Sequence, residues 1–159
     1  MKYLCYGLIF LAGVWVQWIW STYLSFWGLA PQVLLVLTVA LASREGPVLA
    51  ISFAFAWGLC NDVARIHLFG VEALLLTCVA YGVGLVRHQI DLSSLLPQVV
   101  LLAAISYVYF PASAAVGLVF EGHAFWAGWR EFFLTPIFNC IVAPGVFLFV
   151  ERFAQKYDF

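Results

Sequence analysis

Charged residues are scarce in this chain of 159 residues: seven are Lys or Arg and eight are Asp or Glu. Together they make up 9% of the sequence, whereas a soluble globular protein has about 25%. A water-facing surface of this size cannot be built from so few charges, so the composition excludes an ordinary soluble domain. The net charge of -1 also argues against nucleic acid as a partner, because phosphate binding requires a basic face.

Motifs for catalysis and metal binding are lacking as well. The sequence contains no glycine-rich phosphate loop, no His-Glu-x-x-His segment and no set of Ser, His and Asp at compatible depths. We therefore expect no catalytic residue, no metal and no cofactor. The isolated cysteines are interpreted as small packing residues: Cys5, Cys60, Cys78 and Cys140. The isolated histidines are interpreted as residues at the membrane boundary or in loops: His67, His88 and His123.

Apolar residues dominate what is present, at 65% of the chain with a mean hydropathy of +1.03. A helix needs about 20 residues to cross a hydrocarbon core about 30 Å thick, so six crossings use roughly 120 residues and leave room for short loops alone. The sequence thus predicts an all-α integral membrane protein with one six-helix transmembrane domain over residues 1–159. The predicted helices lie near residues 3–21, 27–43, 46–61, 70–88, 94–119 and 129–152.

The distribution of basic residues predicts the orientation. With six crossings and a cytoplasmic N-terminus, the inner side holds Lys2, Arg44, Arg87, Arg152 and Lys156, while the outer side holds Arg65 and Arg130. Cytoplasmic loops carry the excess of Lys and Arg, so both termini are expected in the cytoplasm. The tryptophans flanking the first and last outer loops are expected to form an outer aromatic belt: Trp18, Trp20, Trp27, Trp126 and Trp129.

Small residues recur every four positions on the third predicted helix, at Ala50, Ala54 and Gly58, and the same face ends at Asp62. Such a face lets another backbone come close. Two interpretations follow, a helix contact within the bundle and a groove for the transmembrane helix of a partner. The outer segment from Phe125 to Trp129 is a second candidate for partner binding.

Asp62 is the most unusual residue of that face, because an aspartate at the centre of a bilayer costs about 2.5–3.5 kcal/mol on insertion scales. A structural role at the outer end of the helix is expected, with Arg65 as the charge partner or with Asn61 or Asp62 capping the segment that follows. The alternative is an ion or proton site. No second membrane-embedded carboxylate or histidine on another predicted helix supports such a relay.

Several short motifs together resemble the rod shape-determining MreD family across nearly the whole chain. They are Pro31, Gly46, the run Gly58-Leu59-Cys60-Asn61-Asp62, Leu68-Phe69-Gly70, Ala73-Leu74, and Tyr81, Gly84 and Arg87 spaced three apart. The resemblance implies a multi-pass protein of the bacterial inner membrane that acts as a scaffold in side-wall peptidoglycan synthesis. It implies binding of the bitopic protein MreC, and through it a link between MreB filaments, RodA and the elongation transpeptidase; a homodimer is left open.

The family also resembles in fold the vitamin-binding S-components of energy-coupling factor transporters, which supplies an alternative function. S-components resemble one another in an Ala-x-x-x-Ala motif on the first helix, whereas here Ala12 is followed by Val16. A ligand pocket also needs several convergent polar groups. The polar residues in the predicted helices are few and dispersed along the sequence: Gln17, Gln32, Thr77 and Asn139. We therefore expect a scaffold rather than a transporter subunit.

Overall fold

The computed structural model describes residues 2–23, 30–64, 69–92, 94–122 and 128–157. These residues form six α-helices and no strand, so the predicted all-α helical bundle is confirmed. The helices are α1 (Lys2–Tyr23), α2 (Val33–Arg44), α3 (Pro47–Ala64), α4 (Val71–Val86), α5 (Leu95–Glu121) and α6 (Trp129–Tyr157).

Helix α2 lies at the centre of the bundle and contacts each of the other five helices. Ten of its twelve residues are buried. Its sequence is apolar on every side, as expected for a helix enclosed by protein. At 1.5 Å per residue α2 is about 18 Å long, shorter than the hydrocarbon core. A short helix is tolerated here because its ends meet protein rather than lipid.

The predicted start of this helix at residue 27 is wrong, because residues 30–32 are not helical and α2 begins at Val33. Pro31 disfavours helical geometry in the residue before it, and Gln32 adopts φ −83° and ψ 75°. Residues 27–29 lie outside the described part. Helix α6 continues past the predicted end at 152 to Tyr157, since no Gly or Pro interrupts the sequence there.

Three helices of the described chain are long and apolar enough to cross a membrane: Pro47–Ala64, Leu95–Glu121 and Trp129–Arg152. Helices α2 and α4 are apolar but shorter. Helices α3 and α4 pack closely on each other, as do α5 and α6. The chain is accordingly a helical membrane protein with a buried central helix.

Candidate functional site

The small-residue face of α3 is buried against α4. Ala50, Ala54 and Gly58 have almost no exposed surface. A Cβ atom placed on Gly58 would lie 2.2 Å from Cα of Ala73 and 2.4 Å from its nitrogen. The two backbones therefore touch at Gly58, and the geometry favours the contact within the bundle. A partner helix cannot use this face while α4 covers it.

Asp62 closes the same contact by capping the N-terminus of α4. Its carboxylate accepts hydrogen bonds from the backbone N–H groups of Gly70 (3.0 Å), Glu72 (3.1 Å) and Ala73 (3.2 Å). The first N–H groups of a helix have no partner within the helix, and a negative charge there is favoured by the helix dipole. Burial of Asp62 is thus explained by three donors, and the expected partner Arg65 lies outside the described residues.

Gly70 allows the chain to turn into this cap. Its φ is +100°, a region that favours glycine because a side chain would be strained there. The turn brings the N–H groups of residues 70, 72 and 73 round to the carboxylate of Asp62. Of the residues singled out in the sequence, Gly58, Asp62 and Gly70 are therefore brought together in one junction, which we call the α3–α4 junction.

At the opposite end of the bundle, Arg87 provides hydrogen-bond donors for backbone carbonyl groups. Its guanidinium donates hydrogen bonds to the carbonyl oxygens of Ala42 (3.5 Å) and Glu45, where α2 ends. The hydroxyl of Tyr6 donates to the Glu45 carboxylate at 3.2 Å. These contacts hold α1, α2 and α4 together. A salt bridge of 3.2 Å between Arg44 and Glu151 adds α6 to this end.

Tyr81 and Gly84, which share a motif with Arg87, are separated by the fold. Gly84 is buried, and a Cβ added to it would meet Cβ of Pro47 at an ordinary 3.8 Å. Tyr81 points outward and is exposed. Residues three apart differ in direction by about 60° around a helix, and here Gly84 lies against α3 while Tyr81 lies on the outside of the bundle.

The polar residues that the sequence scatters along the chain meet at the start of α2. The side-chain oxygen of Asn139 accepts a hydrogen bond from the backbone N–H of Gln32 (2.8 Å), and its nitrogen donates to Ser106 (3.0 Å). Gln17 accepts one from the N–H of Leu34 (3.3 Å). The expectation that these groups are dispersed is therefore wrong for all but Thr77, which donates to the carbonyl of Ala73 in its own helix (2.6 Å).

These contacts replace an ordinary cap on α2. Gln32 itself makes no side-chain capping bond, so α1 and α6 supply the acceptors for the first N–H groups of the helix. Non-helical backbone at membrane depth is tolerated where it is buried and its polar groups are satisfied. Sequence reasoning missed this cluster because the partners are far apart in the chain; Gln and Asn in apolar helices were the available signal.

A narrow cavity adjoins the cluster. It is lined by side chains from five helices and the segment before α2, namely Gln17, Gln32, Leu34, Leu35, Asn61, Glu72, Leu76 and Tyr109. The hydroxyl of Tyr109 is hydrogen-bonded to the carboxylate of Glu72. The side-chain oxygen of Gln32 is buried with no hydrogen-bond partner. The cavity has room for about one water-sized molecule, whereas sites for drug-sized ligands measure roughly 300–1,000 Å³.

The remaining candidate residues do not form a reactive centre in the part of the chain that is described. No group of three or more His, Cys, Asp or Glu side chains lies close enough to hold a metal ion there. Cys60 and Cys78 are exposed and Cys140 is half-buried, while His67, His123 and residues 125–127 fall outside the described residues. Trp18 and Trp129 are exposed on the outside of the bundle, whereas Trp20 is partly buried against the core.

The fold and its polar contacts define a helical membrane protein whose buried polar groups hold the helices to one another. The family model described as rod shape-determining protein MreD matches residues 1–153. The chain therefore belongs to the MreD family, and this membership implies a role in determining rod shape. Comparisons with curated proteins and with solved structures gave no match.

Proposed function

We propose that this protein is a non-catalytic scaffold of the cell-elongation machinery in the bacterial inner membrane. In this role it binds MreC and so links MreB filaments, RodA and the elongation transpeptidase to side-wall peptidoglycan synthesis. The observation that carries the proposal is the family match over residues 1–153. The proposal is also supported by the structural role of the polar side chains within the bundle. Each of the following forms hydrogen bonds with backbone groups: Asp62, Arg87, Gln17 and Asn139.

The partner surface in this proposal is an outward face of the bundle. The face of Ala50, Ala54 and Gly58 is covered by α4, so MreC must pack on residues that point to lipid. Helix association in lipid depends on close packing and interhelical hydrogen bonds, because lipid tails are as apolar as leucine. MreC is accordingly recognised by shape and by a few polar contacts.

The proposed topology has six crossings and both termini in the cytoplasm. It is supported by the five basic residues assigned to the inner side against two on the outer side. It is also consistent with the helix order, in which six consecutive helices run from Lys2 to Tyr157.

One experiment tests topology and partner together. A fluorescent protein fused after Phe159 is expected to fluoresce, because it folds in the cytoplasm, and to transfer energy to a second fluorophore on the cytoplasmic end of MreC. An unrelated single-span protein expressed at the same level is the control. A dark fusion that is nevertheless inserted would contradict the topology; a bright fusion with no more transfer to MreC than to the control would contradict MreC binding.

A vitamin-binding role like that of S-components is the second candidate. The convergence of Gln17, Gln32, Asn61, Glu72 and Tyr109 around one cavity favours it, since polar groups from separate helices are what a ligand site requires. The size of the cavity opposes it, because the cavity has room for about one water-sized molecule and a vitamin needs far more space. The scaffold proposal is therefore preferred.

A further inference from the structure

The side-chain oxygen of Gln32 is a buried acceptor that receives no hydrogen bond within the described part of the chain. Gln32 is the last residue of the non-helical segment before α2. Its backbone is satisfied, since the N–H donates to Asn139 (2.8 Å) and the carbonyl accepts from the N–H of Val36 (3.1 Å). A buried acceptor without a donor destabilises a fold, because the oxygen has given up its bonds to water. A donor for this oxygen is therefore expected.

The same side chain lines the narrow cavity beside the start of α2, which has room for about one water-sized molecule. A water held in a buried site makes about two to four hydrogen bonds to polar groups. The other polar residues of the cavity wall come from four different helices: Gln17, Asn61, Glu72 and Tyr109. The cavity thus offers both the space and the partners that one water requires.

The carboxylate of Glu72 has the largest capacity for accepting hydrogen bonds in this wall. An ionised carboxylate has about four lone-pair sites, and the hydroxyl of Tyr109 donates to one of its two oxygens. The side-chain oxygen of Gln17 already accepts the N–H of Leu34 (3.3 Å). Water has two O–H groups, so one molecule can donate to Gln32 and to Glu72 at the same time.

The remainder of the wall favours water over a metal cation. Leu34, Leu35 and Leu76 contribute apolar surface, and Glu72 is the one acidic residue among those that line the cavity. Hard divalent cations take about six or more oxygen ligands. A divalent cation beside a single carboxylate and three leucines would keep a net charge in apolar surroundings, which is costly. A neutral donor of the same size carries no such cost.

We propose that this cavity holds a single water molecule that donates hydrogen bonds to the side-chain oxygen of Gln32 and to the carboxylate of Glu72. The backbone N–H of Glu72 is itself bound to Asp62 (3.1 Å). The water therefore connects the segment before α2 to the α3–α4 junction. It gives the cavity a structural ligand in place of a vitamin, and its binding does not depend on the scaffold function.

An experimental structure of the full-length chain tests the site directly, provided that the map shows ordered waters elsewhere. In the wild type we expect a density peak at hydrogen-bonding distance from the side-chain oxygens of both Gln32 and Glu72. The peak should be lost in Gln32→Met, because methionine has a similar length and at most a weak acceptor. A wild-type map without density at this position would overturn the proposal.

The stability of Gln32→Met tests whether the oxygen is bound. If it had no partner, its removal would leave the stability unchanged or raise it. With the water bound, the equilibrium constant for unfolding in a denaturing detergent should rise about three- to tenfold, as expected for a lost hydrogen bond. Gln89→Met makes the same substitution at an exposed position, so its constant should stay within about twofold of the wild type.

A comparison of salts distinguishes water from a monovalent cation. The wild type should unfold equally in sodium chloride and in choline chloride at the same concentration, while Gln32→Met is less stable than the wild type in both. Stabilisation of the wild type by sodium that is lost in Gln32→Met would identify a cation site and overturn the proposal. A Gln32→Met protein as stable as the wild type would overturn it as well, since the oxygen would then have no bound donor.

Discussion

Gly58→Ala should lower the free energy of unfolding by about 2–3 kcal/mol, although alanine is the better helix former. The added Cβ would lie 2.2 Å from Cα of Ala73 and 2.8 Å from the carbonyl carbon of Glu72. These are backbone atoms and cannot swing aside, so α3 and α4 must separate. The separation also lengthens the hydrogen bonds of Asp62. Unfolding of the purified protein by a denaturing detergent measures the effect.

Gly82→Ala is the matched control for this substitution. Gly82 lies within α4, and a Cβ there meets nothing within 4 Å. It gains the same helix propensity without a clash, so its stability should be unchanged or up to about 1 kcal/mol higher. Equal stability of the two variants would show that α3 and α4 do not touch at Gly58.

Asp62→Ala should destabilise the protein by about 3 kcal/mol or more, because three N–H groups at the start of α4 lose their acceptor. A buried donor left without a partner costs about 1–3 kcal/mol, and bonds to a charged group are the stronger ones. Asp62→Asn retains one acceptor oxygen and should fall between the wild type and Asp62→Ala. The same detergent unfolding gives the order of the three proteins.

Asn61→Ala is the control on the neighbouring residue, whose side chain lines the cavity. Its stability should stay within about 0.5 kcal/mol of the wild type. Proteoliposomes separate the structural role of Asp62 from an ion-conducting one. Proton permeability and ion uptake should be the same for the wild type and Asp62→Asn, and a pH-dependent current lost in the variant would contradict the capping role.

The helical class and most helix positions follow from the sequence because lipid exposure requires long apolar runs. The start of α2 does not follow, since residues 30–32 are non-helical for a reason that lies in other helices. Gln17 and Asn139 accept hydrogen bonds from the backbone N–H groups of Leu34 and Gln32. Periodicity reports which face of one helix is apolar and carries no information on which distant side chain meets it.

At the α3–α4 junction, too, the sequence predicts one part of the structure and leaves another part open. The spacing of Ala50, Ala54 and Gly58 predicts a close helix contact, yet it fits an internal contact and an external one equally. The backbone distance at Gly58 distinguishes them. The position of Asp62 indicated a cap or a charge pair, and the carboxylate faces three backbone donors that are eight to eleven residues away in the sequence.

The most direct measurement of the central claim is purification of the chain from native membranes, followed by mass spectrometry of the proteins and small molecules that accompany it. The account predicts that MreC is recovered with the wild-type chain and with Gly82→Ala, and that no vitamin is retained. Recovery of a vitamin together with an energy-coupling ATPase, and of no MreC, would contradict the scaffold function and would instead establish a transport role for the cavity beside Gln32.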